Sequence, residues 1–469
     1  MVTAELGPQA RATVAGDSIA ALSKALRQLG HTVSVALPRY PSHEASGLLL
    51  ARRLSPLVIE PSLEVTVLDG QLASGVSLVL FDAPAFAEQR PIFGAPGSRD
   101  AESDGARSAL LCRAVEALVR ERRAIGKAPD VIHLHDWAAA PVAALPREEG
   151  APPCVFTVHD ARPEPSFDPR ALGLLGRVAY DERALLDGRF SPLRLGLAAA
   201  EVATTVSAGY AHELEDGELG PLLRARPTPL AGVLDGLDYA VYNPATDSAL
   251  EARYDAEDAS NKARSKTALL RALELELDVE RPLLVVLLNK DGSDSKLVLS
   301  AIARMLDQDL AVVAAGAGAQ DDATRSALSA MRSEHAGDFG VVERSDEPEL
   351  RRLMAAGDFV LTVRRGVPCA YEELCAQRYG AVPIAHASGG VTDVVVDIDA
   401  ELETGTGLSY AELAEAALVG VVERALSAYG HPQFPALRRR LLRRDVGWDR
   451  AARRYLQLYR QARGENALG

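Results

Sequence analysis

Two segments place ionisable side chains directly after apolar runs. Asp130–Trp137 reads Asp-Val-Ile-His-Leu-His-Asp-Trp and ends in the polar group His135, Asp136 and Trp137. Cys154–Asp160 repeats the arrangement and ends in His159-Asp160. If both runs are buried strands, they deliver histidines to neighbouring C-terminal ends and so build a ligand site. One such end alone would be an ordinary structural turn. A third segment, Ala387-Ser388-Gly389-Gly390, follows the apolar run Ala381–Ala385 and precedes Val391–Val395. Glycines at a helix start bring backbone N–H groups onto a phosphate, and the helix dipole adds to the attraction. The same Gly-Gly pair also serves plain turns. Cys112, Cys154, Cys369 and Cys375 lie far apart, with neither a CxxC pair nor a Cys/His ligand spacing. That argues against zinc and against a disulfide framework. No metal is expected.

The elements that must position these groups are short apolar runs alternating with longer amphipathic ones. Thr32–Leu37, Val76–Phe81, Val131–His135, Cys154–His159 and Val202–Ser207 read as strands before residue 240. Leu283–Leu288, Leu310–Ala315, Phe359–Val363 and Ala381–Ala385 do so after residue 280. Several are apolar throughout, as parallel strands buried on both faces must be. Helical stretches such as Asp17–Leu29, Ala106–Arg122, Lys262–Leu275 and Ser295–Asp307 separate them. This predicts an α/β chain of two Rossmann-like domains facing each other across a cleft, with ligands beyond the C-terminal strand ends. The expected boundaries are 1–240, a linker at 241–260, 261–444, and a helix in 445–469 that returns to the first domain. Ser98–Arg107 is charged and contains Gly and Ser, which predicts a mobile loop. The opening Met1–Ala4 leaves room for only a stunted first strand, or for a start lying a few residues inside a longer one.

The chain has 469 residues, with 51 basic and 65 acidic side chains and a formal charge of −14. That balance excludes a general nucleic-acid binder, which needs net attraction to phosphate, but not a small anionic ligand in a local positive pocket. Only six lysines occur: Lys24, Lys127, Lys262, Lys266, Lys290 and Lys296. No apolar stretch of ~18 residues and no charged-then-apolar leader is present. A cytoplasmic protein without a membrane partner is expected; the sequence leaves its oligomeric state open.

Motifs along almost the whole chain resemble those of bacterial glycogen synthases and plant starch synthases. They include Gly30-His31 with Leu37-Pro38-Arg39-Tyr40, His135-Asp136-Trp137, and Phe156-Thr157-Val158-His159. Others are Thr204–Tyr210, Tyr242-Asn243-Pro244-Ala245-Thr246-Asp247, Arg378-Tyr379-Gly380, Glu403-Thr404-Gly405-Thr406-Gly407 and the closing Trp448-Asp449 helix. The resemblance implies a GT-B fold and retaining transfer of glucose from ADP-glucose to the non-reducing end of an α-1,4-glucan. It implies no cofactor and no catalytic metal, so arginine and lysine must carry the charge that develops on the leaving diphosphate. On this reading His159 contacts the donor sugar and Arg365 supports the site. Arg11, Gly16, Asp17, Ser388, Gly389 and Gly390 hold the donor. His135, Asp136 and Trp137 are acceptor-side or structural.

The sequence departs from the family where the chemistry lies. The family's K-T-G-G-L-G-D falls on Arg11–Asp17, with Thr13-Val14 in place of Gly-Gly. Its phosphate-binding S-R-L-x-x-Q-K-G falls on Leu288–Asp294, where Asn289 takes the arginine position and Ser293 the lysine position. Its R-x-E-P-C-G-L falls on Arg365–Tyr371, with Val367 replacing the acid. Asp160 and Asp235 stand where the family has asparagine. Lys290, Lys296 and Arg364 are the candidate compensating cations. Two readings follow: a working transferase with an unusual site, or a catalytically impaired homologue that binds glucan or nucleotide sugar or scaffolds an active synthase.

Overall fold

The computed structural model describes residues 1–87, 101–176, 178, 182–344 and 346–465. The chain divides into two compact α/β units, Met1–Gly236 with Trp448–Gly469, and Leu237–Gly447.

In the first unit Ile132–His135, Cys154–Val158, Val202–Thr205 and Ala231–Gly232 run side by side in parallel. Every residue of the first three is buried, which is why they read as continuous apolar runs. Ser34–Pro38 pairs in parallel with Ser77–Asp82, which continues antiparallel into Leu63–Gln71. The first three residues join the two halves. Val2 N–H donates to His133 O at 2.8 Å and His135 N–H to Val2 O at 3.0 Å. On the other edge Thr3 N–H donates to Ala36 O at 3.1 Å and Ala36 N–H to Met1 O at 2.9 Å. A cavity of about 400 Å³ adjoins Met1 and is lined by Thr32, Val33, Val131 and Ile132. It therefore opens at the N-terminal strand ends, opposite those that carry His135 and His159.

Trp448–Ala462 packs on this unit through Trp448, Ala451, Ala452, Tyr455 and Leu458, in one cluster with Ile19 and Leu22. Their spacing is that of a single helical face. The loop expected over Ser98–Arg107 is corrected from residue 101 onward, because Ala101–Ala124 is a helix; positions 98–100 lie outside the described residues. Its first-turn Glu102 and Asp104 favour a helix N-terminus. Asp104 pairs with the buried Arg107 at 2.9 Å. The charges that read as loop thus belong to the helix start.

The second unit holds a parallel six-stranded sheet, ordered Phe339–Val342, Ala311–Ala315, Leu283–Leu287, Phe359–Thr362, Val382–His386, Leu408–Tyr410. Strand order reverses between Leu283–Leu287 and Phe359–Thr362. In open α/β sheets ligands bind beyond the carboxyl ends of the strands at such a reversal. Residues 241–260 pack on this unit: Tyr254 donates to Tyr379 O at 2.8 Å, and Asp247 accepts from Arg351 at 2.9 Å. Two of the six lysines are structural here. Buried Lys262 donates to the carbonyls of Met354, Ala355 and Tyr379. Buried Lys266 pairs with Asp358 at 2.7 Å.

Candidate active site

In the first unit, His135 stands opposite Thr157 in the parallel ladder. The strand ends therefore place His135 and His159 together, with His135 Nδ1 3.1 Å from His159 Nε2. Asp136 adopts a left-handed φ of 56° and its carboxylate accepts the His159 N–H at 2.8 Å. Burial, with Glu5 and Asp160 adding negative charge, holds the Asp136 carboxyl well above its usual range. Trp137 packs against Phe167 within the hydrophobic core, ring centroids 5.4 Å apart, so its role is structural.

His133 joins the same cluster and was not singled out from the sequence, although residues two apart on a strand share a face. Its ring lies 4.0 Å from that of His135. Its nitrogens contact Thr157 Oγ1 and Tyr459 OH, both at 2.7 Å. Burial pushes all three imidazoles below the usual histidine range, so each is neutral at pH 7. Two buried atoms of this cluster have no hydrogen-bond partner, His135 Nε2 and Asp235 Oδ1. The other Asp235 oxygen accepts the Ser18 hydroxyl at 2.6 Å. Burial drives the Asp235 carboxyl up to about 6, against the opposing pull of His159 and Ser18.

The segment expected to hold a diphosphate is already internally bonded. Buried Glu5 accepts the N–H groups of Ala12 and Thr13 at 2.8 and 2.7 Å and the Thr13 hydroxyl at 2.6 Å. Thr13 in turn caps the helix Val14–Gln28 by accepting from Ala15 N. Arg11 lies 2.7 Å from Asp17 in an ion pair. A side chain at Gly16 would come within 2.9 Å of Glu5 Oε2. Glycine there leaves room for the Glu5 carboxylate.

In the second unit, three loops meet at the strand reversal. The Asn289 amide donates to Val363 O at 2.8 Å and to Ser293 O and Oγ at 3.2 and 3.0 Å. Asn289 thus ties the loop together where the family places a cation. Lys290, Lys296 and Arg365 are exposed, and Val367 is buried. Arg364 lies 2.7 Å from Glu372 in an ion pair. Burial opposes the charge of both partners, yet Arg364 draws Glu372 below its usual range and Glu372 raises Arg364. Glu373, next along the helix Tyr371–Arg378, accepts the Thr362 hydroxyl, and burial pushes its carboxyl up. Neither acid was flagged from the sequence.

Ser388 Oγ accepts the Gly366 N–H at 3.0 Å, and Gly390 N–H donates to Val367 O at 2.7 Å. Gly389 has φ +51°, and a Cβ there would lie 2.2 Å from Val367 O. The glycines therefore let 388–390 lie directly on the backbone of 366–368. The helix that follows, Val391–Val394, is a single turn. Gly389→Ala combines left-handed strain with a backbone clash. It should lower unfolding stability in urea by about 2–4 kcal/mol. An unchanged urea midpoint would show that the loop yields freely.

Residues 1–225 match the family described as the starch synthase catalytic domain. A glycogen synthase of Acidiphilium cryptum is 34% identical, with 98% of each chain covered. A glycogen synthase 2 of Geobacter metallireducens is 32% identical, covering 98% of this chain and 97% of its own. The catalytic domain of starch synthase IV from Arabidopsis thaliana, solved with ADP and acarbose bound, superposes with a TM-score of 0.82. It is 24% identical, with 99% of this chain and 98% of the other covered.

Proposed function

Because this chain belongs to the glycogen and starch synthase family of GT-B glycosyltransferases, we propose that it transfers glucose from ADP-glucose to the non-reducing end of an α-1,4-glucan, slowly. The observation that carries this reading is the buried group of His135, Asp136 and His159 at two adjacent C-terminal strand ends. In it, a neutral His159 is held by its backbone through Asp136 and by its ring through His135. Such a group orients an uncharged sugar without imposing net cationic charge on it. The nucleotide end belongs to the strand reversal of the second unit, where Ser388–Gly390 and the 363–370 loop meet. Breaking the glycosidic bond leaves negative charge on the diphosphate, and preorganised cations there supply much of the rate. Arg364 and Arg11 are already ion-paired with carboxylates of this chain, and Lys290, Lys296 and Arg365 are exposed to solvent, which weakens the charge each can offer a diphosphate. Loss of one such donor typically slows turnover on the order of 10²–10³-fold.

A second reading, an impaired homologue that binds glucan or nucleotide sugar or scaffolds an active synthase, is favoured by Val367 in the acidic position. The deciding measurement is incorporation of labelled glucose from ADP-glucose into glycogen by the pure full chain. Incorporation that requires ADP-glucose and scales with protein concentration, even at roughly 10²–10³-fold below a median enzyme turnover of about 10 per second, establishes the transferase. No incorporation, together with retention on a glucan matrix, establishes the second reading.

A further inference from the structure

The helix Tyr371–Arg378 begins where the order of strands reverses, and its first turn carries Glu372 and Glu373. An N-terminus in that place favours anions through the helix dipole. Here the chain supplies the anion itself. Glu372 Oε2 lies 2.7 Å from Arg364 Nη2, and Lys290 adds to the field that keeps Glu372 ionised. The pair is not sealed off: the two side chains keep 32% and 22% of their surface exposed. Directly behind it Glu373 is buried, with one oxygen on the Thr362 hydroxyl and the other without a hydrogen-bond partner.

We infer that Glu372 is a built-in counter-anion that occupies Arg364 and the start of this helix, and so sets the affinity of this unit for a nucleoside diphosphate. The inference rests on the reading that the strand reversal is the nucleotide end. A diphosphate arriving there must displace Glu372 from Arg364 and then sit beside the displaced carboxylate. Both effects weaken binding, and both scale with the charge of the ligand. Removing the Glu372 charge frees Arg364 and leaves the helix N-terminus available. Glutamine keeps the size of the side chain, and the position is partly exposed, so the fold tolerates the change.

The test is calorimetric titration of ADP and AMP into the full chain, wild type against Glu372→Gln, with Glu372→Thr as a second uncharged variant. The expected result is ADP affinity at least ten-fold higher in both variants, with a smaller gain for AMP, which lacks the β-phosphate. Adding Arg364→Gln to Glu372→Gln should return ADP affinity to near the wild-type value. Measurable ADP binding by the wild type that changes less than two-fold in both variants would overturn the counter-anion while leaving the nucleotide site intact. Absence of ADP binding in all variants would overturn both the inference and the nucleotide reading beneath it.

Discussion

Replacing Asp235 by asparagine will raise the melting temperature at pH 8 and leave it almost unchanged at pH 4. The Asp235 carboxyl is driven up from 3.8 to about 6 by burial. The folded chain therefore holds a proton that the unfolded chain releases between pH ~4 and pH ~6. Stability falls as pH rises through that window, and above pH ~6 the full cost of about 3 kcal/mol is present. Asparagine never ionises, so it escapes that cost while its amide oxygen keeps the Ser18 hydrogen bond. For a unit of this size the gain corresponds to roughly 5–10 °C. Thermal melts of both proteins at pH 4, 6 and 8 check it. A gain equal at all three pH values, or no gain at pH 8, would assign the cost to something other than the Asp235 charge.

Glu5→Ala will have the opposite sign and a similar size. Its carboxylate accepts two backbone N–H groups and the Thr13 hydroxyl, and Glu5 is 2% exposed. Alanine removes a charged acceptor from donors on the exposed residues Ala12 and Thr13 and opens a space against Gly16, at a cost of about 2–4 kcal/mol. The melting temperature should drop by roughly 10 °C. Glu5→Gln, which keeps an acceptor oxygen, should lose less than half of that. Equal losses for the two variants would mean that charge rather than hydrogen-bond acceptance holds the segment.

The two substitutions act on neighbouring groups for different reasons. Asp235 is an ionisable side chain in a position that burial penalises. Glu5 is an acid that accepts three hydrogen bonds from one short segment, which favours its charge and ties that segment down. Both stand beside the His135–His159 pair, and Glu5 and Asp235 both add to the field on His159. The environment of that imidazole therefore depends on two carboxylates that behave oppositely.

Much of the scaffold was legible from residue order alone. Parallel strands covered on both faces must be apolar throughout, so Cys154–Val158, Val202–Thr205 and Leu283–Leu287 stand out wherever they occur. The antiparallel strand Leu63–Gln71 does not, because it is buried only in part and carries Asp69, Gly70 and Gln71. The helix Ala101–Ala124 lost its first turn to a loop reading, because paired charges and solvated charges look alike in a sequence. The strand ends that carry His135 and His159 were legible too, since a polar residue closing an apolar run marks the place where a buried strand leaves the sheet.

What residue order established, then, is the family, the two α/β units and the absence of the expected lysines from the phosphate segments. Those properties depend on residue type and local period, which are linear in the chain. Only the folded chain decided which charges remain available. Arg11 with Asp17, Arg364 with Glu372, and Glu5 with the 12–13 amides are pairings set by how loops close over the strand ends. Electrostatic energy depends on distance in space and on burial, neither of which is written in sequence separation. The same holds for Gly389, which reads as a phosphate glycine and proves to be the contact that lets one loop lie on another.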